Sequence, residues 1–333
     1  METPYVLFLG DVKDELSAKT GRGIAHWRPE ISMGEFRMEG CAVSLGLPEF
    51  SFAEARERGA KTLVLGVANA GGLISESWEA SLVAAVEAGL DIASGLHARL
   101  CDLPELARAA GAYGRILHDI RHPTIPLPVG TGERRPGKRL LTVGTDCSVG
   151  KMYTTLALER EMKRRGWAAD FRATGQTGIF IAGTGICVDA VVADFISGAV
   201  ELISPAADPG HWDLIEGQGS LFHPSFGGVT LGLIHGAQPD WLVLCHQPGR
   251  TGMRGISTRR LPELAECLEA NLAAARLTNA GVRPAGFSFN TGGMPVAEAA
   301  RVCRAVEEEW GLPCVDPVRT GVAAIVDRIE EEA

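Results

Sequence analysis

An α/β fold in two consecutive domains is what this sequence predicts, and three observations carry the prediction. Short apolar runs that read as buried strands, among them Tyr5 to Leu9, Thr62 to Val67 and Trp241 to Cys245, alternate with helix-period stretches along the chain. Polar, glycine-bearing loops fall just after those runs, and a parallel sheet gathers such loops along one edge. The segment 118-HDIRHPTIPLPVGTGERRPGKR-139 breaks the alternation with proline, glycine and basic residues and reads as a linker.

The first domain is expected over residues 1–125. Its first strand, Tyr5 to Leu9, closes at Gly10-Asp11, and 19-KTGRG-23 reads as a polar loop. Phe52 to Arg58 reads as a helix, and the strand at Thr62 to Val67 leads into the small-residue turn 68-ANAGGLI-74. Helical spacing from Trp78 to Ala88 stops at Gly89, which suits a helix end. Ile92-Ala93 opens another short segment, and a helix follows from about Pro104 to Ala110. This alternation predicts a Rossmann-like domain, with Asn69, Gly71, Gly72 and His97 as its ligand candidates and His97 as a substrate contact.

A linker is expected at 126–139, and the second domain at 140–333. It opens on 140-LLTVGTDCSVGKMYTTLALERE-161: a strand at Leu140, Leu141 and Val143, a glycine turn, Gly150-Lys151, and a helix carrying Leu156, Ala157 and Leu158. Free backbone N–H groups at a helix start face an anion and the lysine adds charge, so this is a phosphate-binding loop. Its contacts are expected from Gly144, Thr145, Asp146, Cys147, Ser148, Val149, Gly150, Lys151, Met152 and Tyr153. The loop is a variant. Thr145 occupies the usual first glycine position, Met152 replaces the hydroxyl after the lysine, and the hydroxyls come later at Thr154 and Thr155. Further strands are read at Ala168 to Ala173, Trp212 to Ile215, Trp241 to Cys245 and Ala285 to Phe289. Helices are read at Val188 to Phe195, Pro262 to Asn279, Pro295 to Trp310 and from about Val322. The whole predicts a P-loop NTPase-like three-layer domain.

Composition narrows the function. Of 333 residues, 46% are hydrophobic and 22% charged, which describes a globular chain. A formal charge of -9 gives no nucleic-acid footprint. The eight cysteines lack paired spacing and read as reduced cytoplasmic thiols. The start, METPYVLFLGDVKDE, reads as a first strand, and no apolar run is long enough to span a membrane. A small-molecule substrate and a homo-oligomer are expected.

Several constellations follow the strands. Glu216 in 212-WDLIEGQG-219 is placed like the acidic residue of a nucleotide-binding sheet. It is a candidate base or, with Thr154, a candidate Mg²⁺ ligand. His223 and His246 are candidate bases. Arg250 is a candidate oxyanion donor, because a guanidinium offers a two-pronged donor. Arg172, Gln176 in 174-TGQTG-178, and Arg254 are candidates for holding substrate.

With these stretches assembled, the chain resembles a bacterial family of two-domain proteins long catalogued as of unknown function, whose better-described branch is D-glutamate N-acetyltransferase. The resemblance rests on GTDCSVGKM at 144–152, ATGQTG at 173–178, EGQGSLFHP at 216–224, TLGLIHG at 230–236 and CHQPGR at 245–250, with NT at 290–291 and DPVR at 316–319. It implies an acyltransferase that moves an acetyl group from acetyl-CoA to the D-glutamate amine. The GTD…VGK and EG-x-G elements also resemble dethiobiotin synthetase and related amide-forming enzymes. There the matching positions, Lys151 and Glu216, would serve ATP and Mg²⁺; Met152 departs from that pattern. Two rival readings therefore stand beside acetyl transfer. One is an ATP-dependent kinase or ligase acting on a small carboxylate, and the other a non-catalytic, nucleotide-responsive regulatory protein.

Overall fold

The computed structural model describes residues 1–332. It divides into two compact units, one of Met1–Thr124 with Gln176–Cys187, the other of Ile125–Gly175 with the chain from Val188 onward. A short stretch from just past the middle of the chain thus groups with the first unit.

In the first unit the order is β1 (Tyr5–Gly10), α1 (Lys19–Trp27), β2 (Ser32–Arg37), α2 (Phe52–Glu57), β3 (Thr62–Leu65), α3 (Glu76–Glu87), β4 (Asp91–Ser94), α4 (Pro104–Tyr113) and β5 (Leu117–Asp119). The strands form a parallel sheet in the order β2-β1-β3-β4-β5. The Rossmann-like expectation is met. Phe8, Leu63, Leu65, Leu82 and Ile92 are fully buried, and Trp78 meets Phe8 edge-on at 5.5 Å. The Trp78 indole donates to Asp11 Oδ1 at 2.8 Å, which satisfies its one polar atom. The expected polar loop 19–23 is instead the start of α1. Gly21 N donates to Gly66 O at 2.7 Å, and a Cβ at Gly21 would fall 3.2 Å from that oxygen, so the glycines serve close packing rather than an anion. Strand β2 carries little apolar patterning and escaped the sequence reading. Its buried Glu35 is satisfied by Ser44 Oγ at 2.7 Å and Leu45 N at 2.6 Å.

The rest of the chain supplies β6 (Lys138–Gly144), α5 (Lys151–Arg164), β7 (Ala169–Arg172), α6 (Gln176–Ala182), α7 (Ile196–Ile203), β8 (Trp212–Ile215), α8 (Gly227–Ala237), β9 (Trp241–His246), α9 (Leu264–Arg276), β10 (Arg283–Phe289), α10 (Val296–Trp310), β11 (Cys314–Val315) and α11 (Ala323–Glu332). Of these, α6 belongs to the first unit. The second sheet is parallel, in the order β11-β10-β9-β6-β8-β7. Successive residues of β6, β8 and β9 are buried on both faces, as a parallel sheet between helices requires. Strand order reverses between β6 and β9, with β6 leading on toward the β7 edge and β9 toward the β11 edge, so the crevice beyond their carboxyl ends is where ligands bind in such sheets.

Three local readings change. Residues 176–178, expected as loop, open α6. The helix expected at Val188 to Phe195 is a pair of short 3₁₀ turns, Val188–Ala190 and Ala193–Phe195, and the true helix is α7. The 126–139 linker is docked on its own unit. Thr131 N donates to both carboxylate oxygens of Glu201, at 3.0 and 2.9 Å, and Arg135 Nε donates to Ser204 O at 2.9 Å. Among the described residues, no helix is long and apolar enough to cross a membrane. None of the cysteines forms a disulfide.

Candidate active site at the phosphate loop

β6 ends at Gly144 and α5 begins at Lys151, with Gly150 as its N-cap at φ 105°. No side chain caps this end of α5, and its first turn has no acidic residue, so its N–H groups face outward as anion donors. Lys151 is buried, and its Nζ donates to Asp146 O at 2.9 Å and Gly219 O at 2.8 Å. Burial lowers its pKa. An ammonium held only by carbonyl oxygens still lacks a counter-charge, and a phosphate supplies one.

The acid inside the loop is neutralised by the β9 loop. Asp146 is fully buried, and its Oδ2 accepts from Arg250 Nη1 and from Arg254 N, each at 2.8 Å. Arg250 also donates from Nη1 to Cys147 O at 2.7 Å, from Nη2 to Ser148 O at 3.1 Å, and to Gln247 Oε1. Ser148 has φ 54°, a left-handed conformation that costs a non-glycine residue, and Arg250 grips the carbonyl that follows. Both terminal nitrogens of Arg250 are therefore committed. The sequence read this residue as an oxyanion donor; the structure uses it to brace the loop. Gln247, its partner within the same motif, was not singled out from the sequence.

Glu216 follows β8 and is buried. Its Oε2 accepts from Thr174 N at 3.1 Å and Gly175 N at 3.2 Å. Burial pushes its pKa up to about 7, against those two N–H groups, Gln218 and Lys151, which all favour the ionised form. A carboxyl poised there gains and loses a proton near neutrality. His246 ends β9, with Nδ1 2.9 Å from Thr145 Oγ1, and burial with Arg250 nearby lowers its pKa to about 4. It is a neutral imidazole. His223 accepts from Ser225 N at Nδ1, 3.2 Å, which places its proton on Nε2, donated to Arg254 O at 3.0 Å. Expected as a base, it has both nitrogens engaged by backbone.

The expected metal ligand Thr154 is turned away. Its hydroxyl donates to Gly150 O at 3.0 Å and lies 2.7 Å from Ser288 Oγ, fully buried one turn into α5. With Met152 after the lysine and Glu216 half-protonated near neutrality, these residues do not fit the usual Mg²⁺–nucleotide arrangement. Asp146, Cys147 and His223 have ligand atoms within 4.8 Å of one another. The proton on His223 Nε2 and the donor on Nδ1 leave that ring no lone pair to give a metal.

Arg172 was expected to hold substrate. Its Nε instead donates to buried Asp213 Oδ1 at 2.6 Å, an ion pair that absorbs its charge. Arg254 differs: its backbone is fixed on both sides by Asp146 and His223, and its guanidinium has no partner among the described residues. His97 and Gln176 belong to the first unit. There Gly72 packs against His97, and a Cβ at Gly95 would fall 2.4 Å from Gln176 Oε1, so His97 and Gln176 both lie by the loop that follows β4. The NT and DPVR motifs prove to be one structure: Asp316 Oδ2 accepts from Thr291 N at 3.1 Å and its Oδ1 from Val318 N and Arg319 N, each at 2.9 Å.

Residues 128–326 match the family described as a domain of unknown function (DUF1611_C), P-loop domain, and residues 36–123 match the DUF1611_N Rossmann-like domain. A D-glutamate N-acetyltransferase of Tritonibacter scottomollicae is 52% identical over 99% of both chains. One of Pseudoalteromonas sp is 50% identical over 98% of both. The chain belongs to the D-glutamate N-acetyltransferase family. A crystal structure of a DUF1611 family protein from Anabaena variabilis superposes with a TM-score of 0.89, at 32% identity, covering 99% of this chain and 100% of that one. The family resemblance read from the loop motifs, the Rossmann-like first domain and the P-loop second domain all stand.

Proposed function

We propose that the chain transfers an acetyl group from acetyl-CoA to the amine of D-glutamate, giving N-acetyl-D-glutamate and free CoA. The observation that carries this is a phosphate loop equipped to bind an anion but not to manage nucleotide hydrolysis. Lys151 and the uncapped start of α5 offer positive charge and N–H donors, while the side chain after the lysine is Met152 and the Thr154 hydroxyl is spent inside the fold. The relatives named D-glutamate N-acetyltransferase support the acetyl donor and the acceptor.

In this reading Gly144 to Lys151 seat the donor's diphosphate, and acetyl-CoA supplies the activated thioester. The ammonium of D-glutamate must lose a proton before it attacks the thioester carbonyl. Glu216, with its pKa pushed up to about 7, is the best-matched base, and neutral His246 is the second candidate. Arg250 acts indirectly, by holding the loop carbonyls so that its N–H groups face the phosphates. The test is acetyl transfer to D- and L-amino acids with purified protein, without nucleotide and with EDTA. Acetylation of D-glutamate under those conditions is expected. Activity that appears only on adding ATP and Mg²⁺ would instead support the kinase or ligase reading.

A further inference from the structure

We propose that the loop from Arg250 to Arg260 reads a second, separate phosphate: the 3′-phosphate on the ribose of the acetyl donor, met by Arg254, Arg259 and Arg260. The inference rests on acetyl-CoA being that donor.

The loop is fixed, and it is fixed to the phosphate loop. Arg254 N donates to Asp146 Oδ2 at 2.8 Å, and His223 Nε2 lies 3.0 Å from Arg254 O, so both sides of one residue are held. Met253 is buried, and its N donates to Arg259 O at 2.8 Å; Ile256 N donates to Met253 O and Arg259 N to Ile256 O, each at 3.0 Å. These bonds fold the segment back on itself and bring Arg259 beside Met253 and Arg254. At Gly252 an added Cβ would fall 2.5 Å from Ser257 O, which shows how tightly the turn is closed.

Its charge is surplus. Arg250 is consumed by Asp146 and the loop carbonyls, but the guanidiniums of Arg254, Arg259 and Arg260 have no ion-pair or hydrogen-bond partner among the described residues. In a chain of net charge -9, a built turn that gathers unpaired arginines next to a phosphate site marks an anion beyond the one Lys151 serves. A phosphate monoester is close to dianionic at neutral pH and offers oxygens that suit several guanidinium forks. Among the donor's parts, only the ribose phosphate is a monoester; the diphosphate is bridged.

Binding and acetyl transfer are measured with acetyl-CoA and with 3′-dephospho-acetyl-CoA, using the full chain, Arg254→Ala, and the double variant Arg259→Ala/Arg260→Ala. The full chain should favour acetyl-CoA by roughly 10- to 100-fold, carried in KM more than kcat, as expected for one or two charge-assisted hydrogen bonds. In both variants the preference should shrink toward parity, because acetyl-CoA binds less well while the dephospho donor is little changed. Arg259 and Arg260 are exposed, so the double variant tests the idea without disturbing the core. Equal use of both donors by the full chain, or a preference that survives in both variants, overturns the inference and leaves the acetyl-donor reading intact. If neither thioester binds, both readings fall together.

Discussion

Asp146 and Arg250 form a buried ion pair, Nη1 to Oδ2 at 2.8 Å, inside a loop whose task is to hold an anion. The pair explains how a carboxylate survives there. Arg250 cancels it, and the same guanidinium fixes the carbonyls of Cys147 and Ser148.

Removing one partner should therefore be worse than removing both. Arg250→Ala leaves a buried, uncompensated carboxylate and should cost about 3–5 kcal/mol of stability. It should also weaken acetyl-CoA binding, because the freed charge repels phosphate. Adding Asp146→Asn should recover part of the stability. Urea unfolding of the two single variants and the double variant measures the coupling, and strictly additive losses would show that the pair does not act as a unit.

Glu216 sets a second expectation. If it takes the ammonium proton, kcat/KM rises with pH through an apparent pKa near 7, and Glu216→Gln loses that limb with about 10²–10⁴ of the rate. Stability must move the other way. The folded pKa is raised from 4.5 to about 7, so the contribution is fully present below 4.5 and is lost as pH rises through 7. The urea midpoint of the Gln variant should lack that decline. A pH–rate profile unchanged by the substitution would remove Glu216 as the base.

Much of this site was legible because the phosphate loop is local: strand, glycine turn, lysine and helix lie within residues 140–161. What escaped was non-local. Nothing near Arg172 announces Asp213, which reaches it only through the β7–β8 register, where Arg172 faces Ile215 and Asp170 faces Asp213. Thr154 looked like a metal ligand until β10 brought Ser288 against it. His223 looked like a base until the β9 loop placed Arg254 O on its Nε2. Helix α6 was read as a glycine loop because 174-TGQTG-178 has poor helix propensity, which packing of its buried Ile179, Phe180 and Ile181 overrides. Strand β2 was missed because its buried Glu35 breaks the apolar run, and its partners come from residues 44 and 45.

His246 gives a stability signature of opposite sign to that of Glu216. Its folded pKa is lowered from 6.5 to about 4 by burial and by Arg250, so its contribution is present above 6.5 and is lost as pH falls through 4. In that acid window His246→Asn should be less pH-sensitive than the parent chain, while keeping a polar partner for Thr145 Oγ1. Urea midpoints between pH 4 and 7 report it. An acid limb of unaltered steepness in the Asn variant would assign the loss to other groups.

Two glycine-to-alanine substitutions should have opposite effects. Gly217 follows Glu216 where β8 leaves the sheet. Its N donates to Thr142 Oγ1 at 3.0 Å, and an added Cβ would fall 1.7 Å from Thr142 O and 2.9 Å from Lys151 Cδ. The first obstacle is backbone of the central strand and cannot swing aside. Gly217→Ala must therefore push the Glu216 turn away from β6, costing about 1–3 kcal/mol or more. Because the same shift moves Glu216 relative to Lys151, kcat should fall beyond what lost stability explains. Gly228 lies in α8, is exposed, and has nothing within 4 Å of an added Cβ. There alanine should stabilise by about 0.5–1 kcal/mol, through helix propensity and a less flexible unfolded chain, with the rate unchanged. Melting curves and initial rates for the two variants separate a glycine required by the β6–β8 approach from one the helix merely tolerates, and a Gly217→Ala protein with parental stability and rate would show that the approach yields.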